Sequence, residues 1–280
     1  MTRWAAGIVL LVLAAPLHGQ AMREFQASHR RGDTRSLTAR VQFTAGTLHL
    51  RAGPPGDLYA MRLGFDAERF SPVARYNAVD GRLTLGTTAL GSAGFRVVDH
   101  RQLEQQASVL LAPDIPLDLS IDLGAGLGDV DLGGLQLTSA TIRSAASRTS
   151  ISVSAPNRGH CTTFDLDAGA SEISTDQLGN ARCAEIRFQG GVGKATLDLS
   201  GQWHDALRVR AQMALGELHL VFPTDAGVEI TLDRTLTTFR PVGFTRQGTT
   251  YTSANLATAK RVIHVDVSTA VGGIVTEWKK

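Results

Sequence analysis

Several features that would announce a chemistry are scarce or absent in this sequence. Its two cysteines, Cys161 and Cys183, form no C-x-x-C motif, and neither has a histidine nearby except His160. A redox or catalytic thiol pair is therefore disfavoured. No cysteine precedes Cys161, so none near the N-terminus could accept a lipid. The eight histidines make no H-x-H or H-x-x-x-H pair, which removes the common metal-ligand spacings and points to no metal or other cofactor. Three Trp and three Tyr recur with no period, so no aromatic row suited to sugar stacking is visible. Basic residues do not gather either. The formal charge is only +2, whereas nucleic-acid binding needs a concentrated basic face. The one cluster, Arg30, Arg31, Arg35 and Arg40, reads as a solvated N-terminal arm.

One long apolar run is present, at the start. Arg3 is followed by the stretch WAAGIVLLVLAA (residues 4–15), then Pro16, with small residues Gly19 and Ala21 placed for cleavage after Ala21. This is the layout of a secretory signal peptide over residues 1–21. The run is 12 residues before the proline, short of the ~20 that a spanning helix needs. No later segment approaches that length. The mature chain is expected to be periplasmic or secreted and not membrane-embedded.

Beyond residue 35 the apolar pattern has period two. Val41 and Phe43, Leu48 and Leu50, and Tyr59, Met61, Leu63 and Phe65 alternate with small or polar residues, as half-buried strands do. Asp80-Gly81 reads as a hairpin turn before the strand 83–85. Helical spacing is credible only over residues 100–108. A boundary between residues 95 and 116 divides the chain into a β segment at 41–110, preceded by the basic arm at 22–40, and a repetitive region at 111–280.

In that region strands begin after a glycine or serine. Val130 follows the turn at Gly128, Ile151 follows Ser150, Ile173 follows Ser171, Ala195 follows Gly193, and Leu218 follows Gly216. The intervals are 21, 22, 22 and 23 residues. A second strand lies 12 or 13 residues further on, at Ile142, Phe164, Ile186, Leu207 and Ile230. A coil of this length cannot bury its apolar residues alone, but stacked coils cover one another. A β-sandwich has similar strand spacing, yet the in-phase turns favour an all-β solenoid with coils of about 22 residues. Cys161 and Cys183 fall ten positions after Ile151 and Ile173. Neighbouring parallel strands lie about 4.8 Å apart, within disulfide reach. An exported protein would carry that bond as a structural clamp.

Catalytic readings fare poorly. Gly124-Ala125-Gly126-Leu127-Gly128 lacks the spacing and the following helix of a dinucleotide fingerprint. Asp129 and Asp131 after these glycines stand out of register for calcium-binding nonapeptides. His49 and His219 sit between leucines on outward strand faces. His204-Asp205 has no nucleophile at hand and suits a turn. A polysaccharide lyase would need carboxylates and a base gathered on one face. Asp165, Asp167 and Asp198 are scattered instead, beside Arg187, Lys194 and Arg208.

The runs PLDLSIDLGAGLGDVDLGGLQL (116–137), GASEISTDQLGNA (169–181), GGVGKATLDLSGQW (190–203) and ALGELHLVFPTDAGVEI (214–230) resemble the toastrack or adhesin-like group. That group overlaps the LiaF-like C-terminal domain of the cell-wall-active antibiotics response family. The closing residues 250–278 look like its terminal strands, and FTAGTLHL (43–50) is similar to its opening motif. The resemblance implies a β-solenoid envelope protein and, in some relatives, modulation of a membrane-bound stress sensor. Such relatives often carry transmembrane helices, whereas this chain shows only the signal-peptide pattern, a departure that counts against a direct membrane-sensor role. The reading is a non-enzymatic envelope scaffold for an unidentified protein partner, with an adhesin or glycan-binding module as the alternative.

Overall fold

The computed structural model describes residues 22–90, 105–203 and 206–280. The expected signal peptide and the His204-Asp205 pair lie outside these residues.

The described chain is strand almost throughout. First come β1 (Met22–Arg30), β2 (Leu37–Ala52), β3 (Asp57–Asp66), β4 (Phe70–Asn77) and β5 (Arg82–Ala89). Next are β6 (Gln106–Leu111), β7 (Pro116–Asp131), β8 (Gln136–Ser152), β9 (Cys161–Asp176) and β10 (Cys183–Asp198). The last are β11 (Ala206–Pro223), β12 (Gly227–Arg240), β13 (Phe244–Gln247), β14 (Thr250–Ser253) and β15 (Val262–Lys279). Eight long strands lie side by side in parallel in the order β2-β7-β8-β9-β10-β11-β15-β12. They are the rungs of a β-solenoid.

Each long strand turns once at its middle. In β10, Ile186 and Phe188 are buried before the midpoint and Ala195 and Leu197 after it, so the inward set switches from even to odd numbers. Side chains on a straight strand keep their parity, so the chain must turn between these pairs. The turn carries one tripeptide on every rung: a small residue, an apolar residue, then glycine, serine or threonine. Its copies include Gly124-Ala125-Gly126, Gly169-Ala170-Ser171, Gly191-Val192-Gly193, Ala214-Leu215-Gly216, Ala270-Val271-Gly272 and Thr235-Leu236-Thr237. Gly193 and Gly216 both have φ +141°, and a Cβ on either would collide with the carbonyl oxygen of the corner residue one rung back. Only glycine fits there. The Ser171 corner is instead held by hydroxyl bonds: Ser171 Oγ donates to the Ser144 carbonyl at 2.9 Å and accepts from Ser144 Oγ at 3.0 Å.

Each rung thus has a first arm, a corner, a second arm and a return loop. The column Val41, Ile121, Ile142, Leu166, Phe188, Ala211, Val267 and Leu232 runs through all eight first arms, every member buried. Inward residues of both arms and of the return loops form one continuous core. Burying a side chain of this size contributes about 1.5–3 kcal/mol, and the stack supplies that burial at every step.

Hairpins cover the β2 end. The expected Asp80-Gly81 turn joins β4 to β5, with Gly81 at φ +63°. β5 pairs with the first arm of β2, while β6, β3 and β1 continue the sheet from its second arm. The basic segment at 22–40 is therefore in the sheet, although most β1 side chains remain exposed. Three of its arginines enter separate ion pairs, Arg30 with Asp57, Arg31 with Asp114 and Arg40 with Asp122. Where helical spacing was expected, the described residues Gln106–Leu111 form β6, because Ala107, Val109 and Leu111 alternate inward.

Register departs from the expected repeat in two places. Ile151 pairs with Thr175 rather than Ile173, and Ile142 with Leu166 rather than Phe164, because the step from β8 to β9 is longer by two residues. Similarly, Ile186 pairs with Val209 rather than Leu207. An even slip keeps every side chain on its own face, so the hydrophobic pattern tolerates it. In addition, β12 does not follow β11 in the stack. β15 comes between them, its Ile263 pairing with Leu207 on one side and Val228 on the other.

Candidate functional site: an axial trough beside an apolar ridge

Stacking turns the corner tripeptide into two lines that run along the solenoid. The small first members, among them Gly124, Ala145, Gly169, Gly191 and Ala214, form the floor of an outward trough of about 930 Å³. It crosses seven strands, or about 29 Å at about 4.8 Å per step. Two positions earlier on each strand stands a polar rim, Gln42, Asp122, Arg143, Asp167, Gln189 and Gln212, in register from rung to rung. The second members make a ridge on the other side. Its side chains grow from alanine at Ala125 and Ala170 to Val192, Leu215, Val271 and Leu236. These last four are 51, 46, 42 and 73% exposed.

Carboxylates on and near the rim are committed to arginines. Asp122 pairs with Arg40 at 2.9 Å and Arg143 at 3.3 Å, and Arg143 reaches Asp167 at 3.4 Å. On the same arm Arg187 pairs with Asp165 at 3.6 Å and with Glu185, which also binds Arg210. The second arm repeats this with Arg148–Glu172 at 2.8 Å and Lys194–Glu217 at 3.0 Å. Opposite charges on successive rungs are thus the rule of this surface. Exposed pairs of this kind contribute little stability each, about 0–1 kcal/mol, but they fix an ordered polar lattice.

The residues singled out in the sequence fall as follows. Cys161 and Cys183 open β9 and β10 in register, and they form a disulfide with their Cα atoms 4.2 Å apart. Ser171, Gly193 and Gly216 stack at the corner on successive rungs. Gly128 and Ser150 do not join them, since Gly128 pairs with Thr149 and Ser150 with Asp129. The corner column passes through Gly126 and Ser147 instead. The physical reason is the close approach of Gly46: a Cβ on Gly126 would strike its carbonyl oxygen. His49 and His219 lie in one outward column, His49 on Asp129 at 3.1 Å and His219 on Glu277 at 3.1 Å. Asp129 also takes Arg51 at 2.7 Å, and Asp131 accepts the Gly133 and Ser154 amides at 2.9 and 3.1 Å. Burial pushes the Asp131 carboxyl up, but these hydrogen bonds outweigh it and hold the group below its usual range. Both aspartates are occupied by protein groups. The trough and ridge were missed; their signal was the small–apolar–glycine or serine tripeptide, visible at each corner once the strands are known to be continuous through it.

Parallel bent rungs around a single core define a β-solenoid protein with a toast-rack arrangement. The chain belongs to the toast-rack family: the family model described as the N-terminal domain of toast_rack, DUF2154, matches residues 18–174. The match thus covers the N-terminal region as well as the first coils after Leu111. No curated protein matches the chain. Among solved structures, a candidate cell adhesion protein from Clostridium sporogenes shares 16% identity with TM-score 0.49, covering 92% of this chain and 100% of its own. A candidate adhesin from Bacteroides fragilis shares 9% identity with TM-score 0.39, over 92% and 98% of the two chains. One from Parabacteroides merdae shares 8% with TM-score 0.34, over 92% and 96%. Among the described residues no helix is long and apolar enough to cross a membrane.

Proposed function

We propose that this protein is an exported, non-enzymatic envelope protein whose solenoid is a rigid scaffold, holding a protein partner along the axial trough. The trough itself carries this reading. It is long, with a floor of small residues, a polar rim along it and the apolar ridge one residue beyond the floor, as suits a docked segment of polypeptide. The rim carboxylates already neutralised by arginine support binding over acid–base chemistry. The Cys161–Cys183 disulfide supports an oxidising compartment, in keeping with the signal-peptide pattern at residues 1–21. A photo-crosslinking side chain placed at Gln212 in cells should trap a discrete partner, and Ala214→Trp, which fills the trough from its floor, should abolish the adduct. Equal crosslinking from Ser174 on the second arm, or an adduct indifferent to Ala214→Trp, would refute the trough as the docking site.

A glycan is the second reading, favoured by the amide groups of Gln189 and Gln212 on the rim. A glycan array probed with the wild type and with Ala214→Trp tests it, a trough-dependent signal being the result required.

A further inference from the structure

The two ends of the stack are finished differently. At the β2 end both arms are covered, the first by β5 and the second by β6. At the β12 end only the first arm is covered: β14 pairs with β12 at Glu229, Ile230 and Thr231, and Leu232 N–H donates to the Thr249 carbonyl. From residue 233 to residue 240, β12 pairs with β15 alone among the described residues. Among the described residues no strand covers its other edge, where the Arg234 guanidinium donates to the Thr237 carbonyl at 3.0 Å, and such an edge is a template for strand addition.

Three further observations bear on what adds there. Leu236, the terminal member of the apolar ridge, is the most exposed of its column at 73%. The Thr237 hydroxyl at the same corner is nine-tenths buried and has no hydrogen-bond partner among the described residues. Asp233 and Arg240, in outward columns whose inner members form cross-rung ion pairs, are exposed on this last rung and form none among the described pairs. The stack itself shows that strands can join out of sequence order, since β15 enters in parallel between β11 and β12.

We propose that the open edge of β12 receives an extended strand from a partner polypeptide, in parallel register. The rules of the stack specify its chemistry: a basic residue beside Asp233, a small–apolar–glycine or serine tripeptide beside Thr235-Leu236-Thr237, and a carboxylate beside Arg240. Because the strand is parallel, its basic residue precedes its acidic one. A second copy adding head to tail is disfavoured by charge, since its edge strand β1 carries Arg23, His29 and Arg30 against one acid, Glu24, and offers little to complement Arg240. The proposal rests on the scaffold reading but uses the strand edge at which the rim and ridge columns end, not the trough floor.

The test uses a labelled, end-blocked octapeptide, lysine–valine–alanine–leucine–glycine–threonine–valine–glutamate, titrated into the full mature protein by fluorescence anisotropy. Saturable binding is expected, with slowed amide exchange confined to residues 233–240. Exchanging the terminal lysine and glutamate should weaken binding about tenfold, as like charges then face each other. Arg240→Glu should weaken the original peptide similarly and be rescued by a peptide ending in lysine. Unchanged thermal melting of Arg240→Glu establishes that it is folded. Protection at the trough instead of β12, indifference to charge order, absence of binding, or a dimer of the free protein that Leu236→Lys dissolves would each overturn the proposal. None of these depends on Ala214→Trp, so the trough reading stands or falls on its own experiment.

Discussion

Lys279 Nζ donates to Asp198 Oδ2 at 2.6 Å and to Asp176 Oδ1 at 2.8 Å, tying β15 to β10 and β9 across the intervening β11. Asp198 is buried. Burial pushes its carboxyl up, but the hydrogen bonds from Lys279 and Ser200 and the lysine charge outweigh it and leave the group below the usual carboxylate range. Hydrogen bonds to Asp176, then Asp198, hold Lys279 above the usual lysine range.

These shifts give the clasp a pH window. A depressed carboxyl adds stability that is full above its unfolded value, about 3.9, and is lost as pH falls through its folded value. A raised lysine adds stability that is full below about 10.4 and is lost as pH rises through its folded value. The clasp is thus complete from about pH 4 to about pH 10. Lys279→Met should cost about 1–2 kcal/mol at pH 7, less than the ~3–5 of a fully buried pair because the lysine is partly exposed. Melting temperatures from pH 2 to 7 check this: the wild type should lose stability more steeply than Lys279→Met below about pH 4.

The Cys161–Cys183 bond closes a loop over a separation of 22 residues. On the chain-entropy model such a closure contributes about 3 kcal/mol. The double variant Cys161→Ser, Cys183→Ser should keep the wild-type circular dichroism spectrum and melt several degrees lower. Reducing the wild type should reproduce the shift, and the double variant should not respond to reductant.

What the sequence made legible follows from how much each residue constrains. Cys161 and Cys183 pair as expected because the step from β9 to β10 is the regular one, 22 residues. The inward columns were legible by their period of two. Register was not: Ile151 and Ile173 are both apolar and both inward, and moving one strand by two residues leaves each on the same face. What sets the register there is polar, the Ser144, Ser147 and Ser171 hydroxyls buried at the corner. The position of β15 was hidden for another reason. Val228 and Leu207 make equally good apolar neighbours for Ile263, so composition does not say which strand comes next. The trough belongs to the stacking as a whole, because its floor takes one small residue from each of several distant segments.

Buried asparagines lock the return loops between rungs. Asn180 Nδ2 donates to the Val153 carbonyl at 2.8 Å, and its Oδ1 accepts the Gln202 amide at 2.8 Å. Asn157 likewise binds both backbone groups of Leu137, at 3.0 and 2.9 Å, and the Ala181 carbonyl at 2.9 Å. Removing such a side chain strands buried backbone groups, at about 1–3 kcal/mol each. Asn180→Ala should therefore destabilise by at least about 2 kcal/mol in urea titration. Asn180→Asp should not rescue it, since a carboxylate cannot donate to Val153.

The corner glycines give the sharpest stability test because two kinds of positive-φ glycine are present. Gly193 has φ +141° and no room for a Cβ against the Ser171 carbonyl, whereas Gly248 has φ +63° with nothing within 4 Å. At Gly248 an alanine meets only the left-handed backbone penalty, about 1–2 kcal/mol. At Gly193 the same methyl must also push two rungs apart, which breaks parallel hydrogen bonds on either side. Gly193→Ala should cost more than about 3 kcal/mol, and its effect should spread, with faster amide exchange on both β9 and β10. Equal destabilisation by the two alanines would mean that the corner tolerates a side chain, and that the close stacking of rungs at the turn is not what selects glycine there.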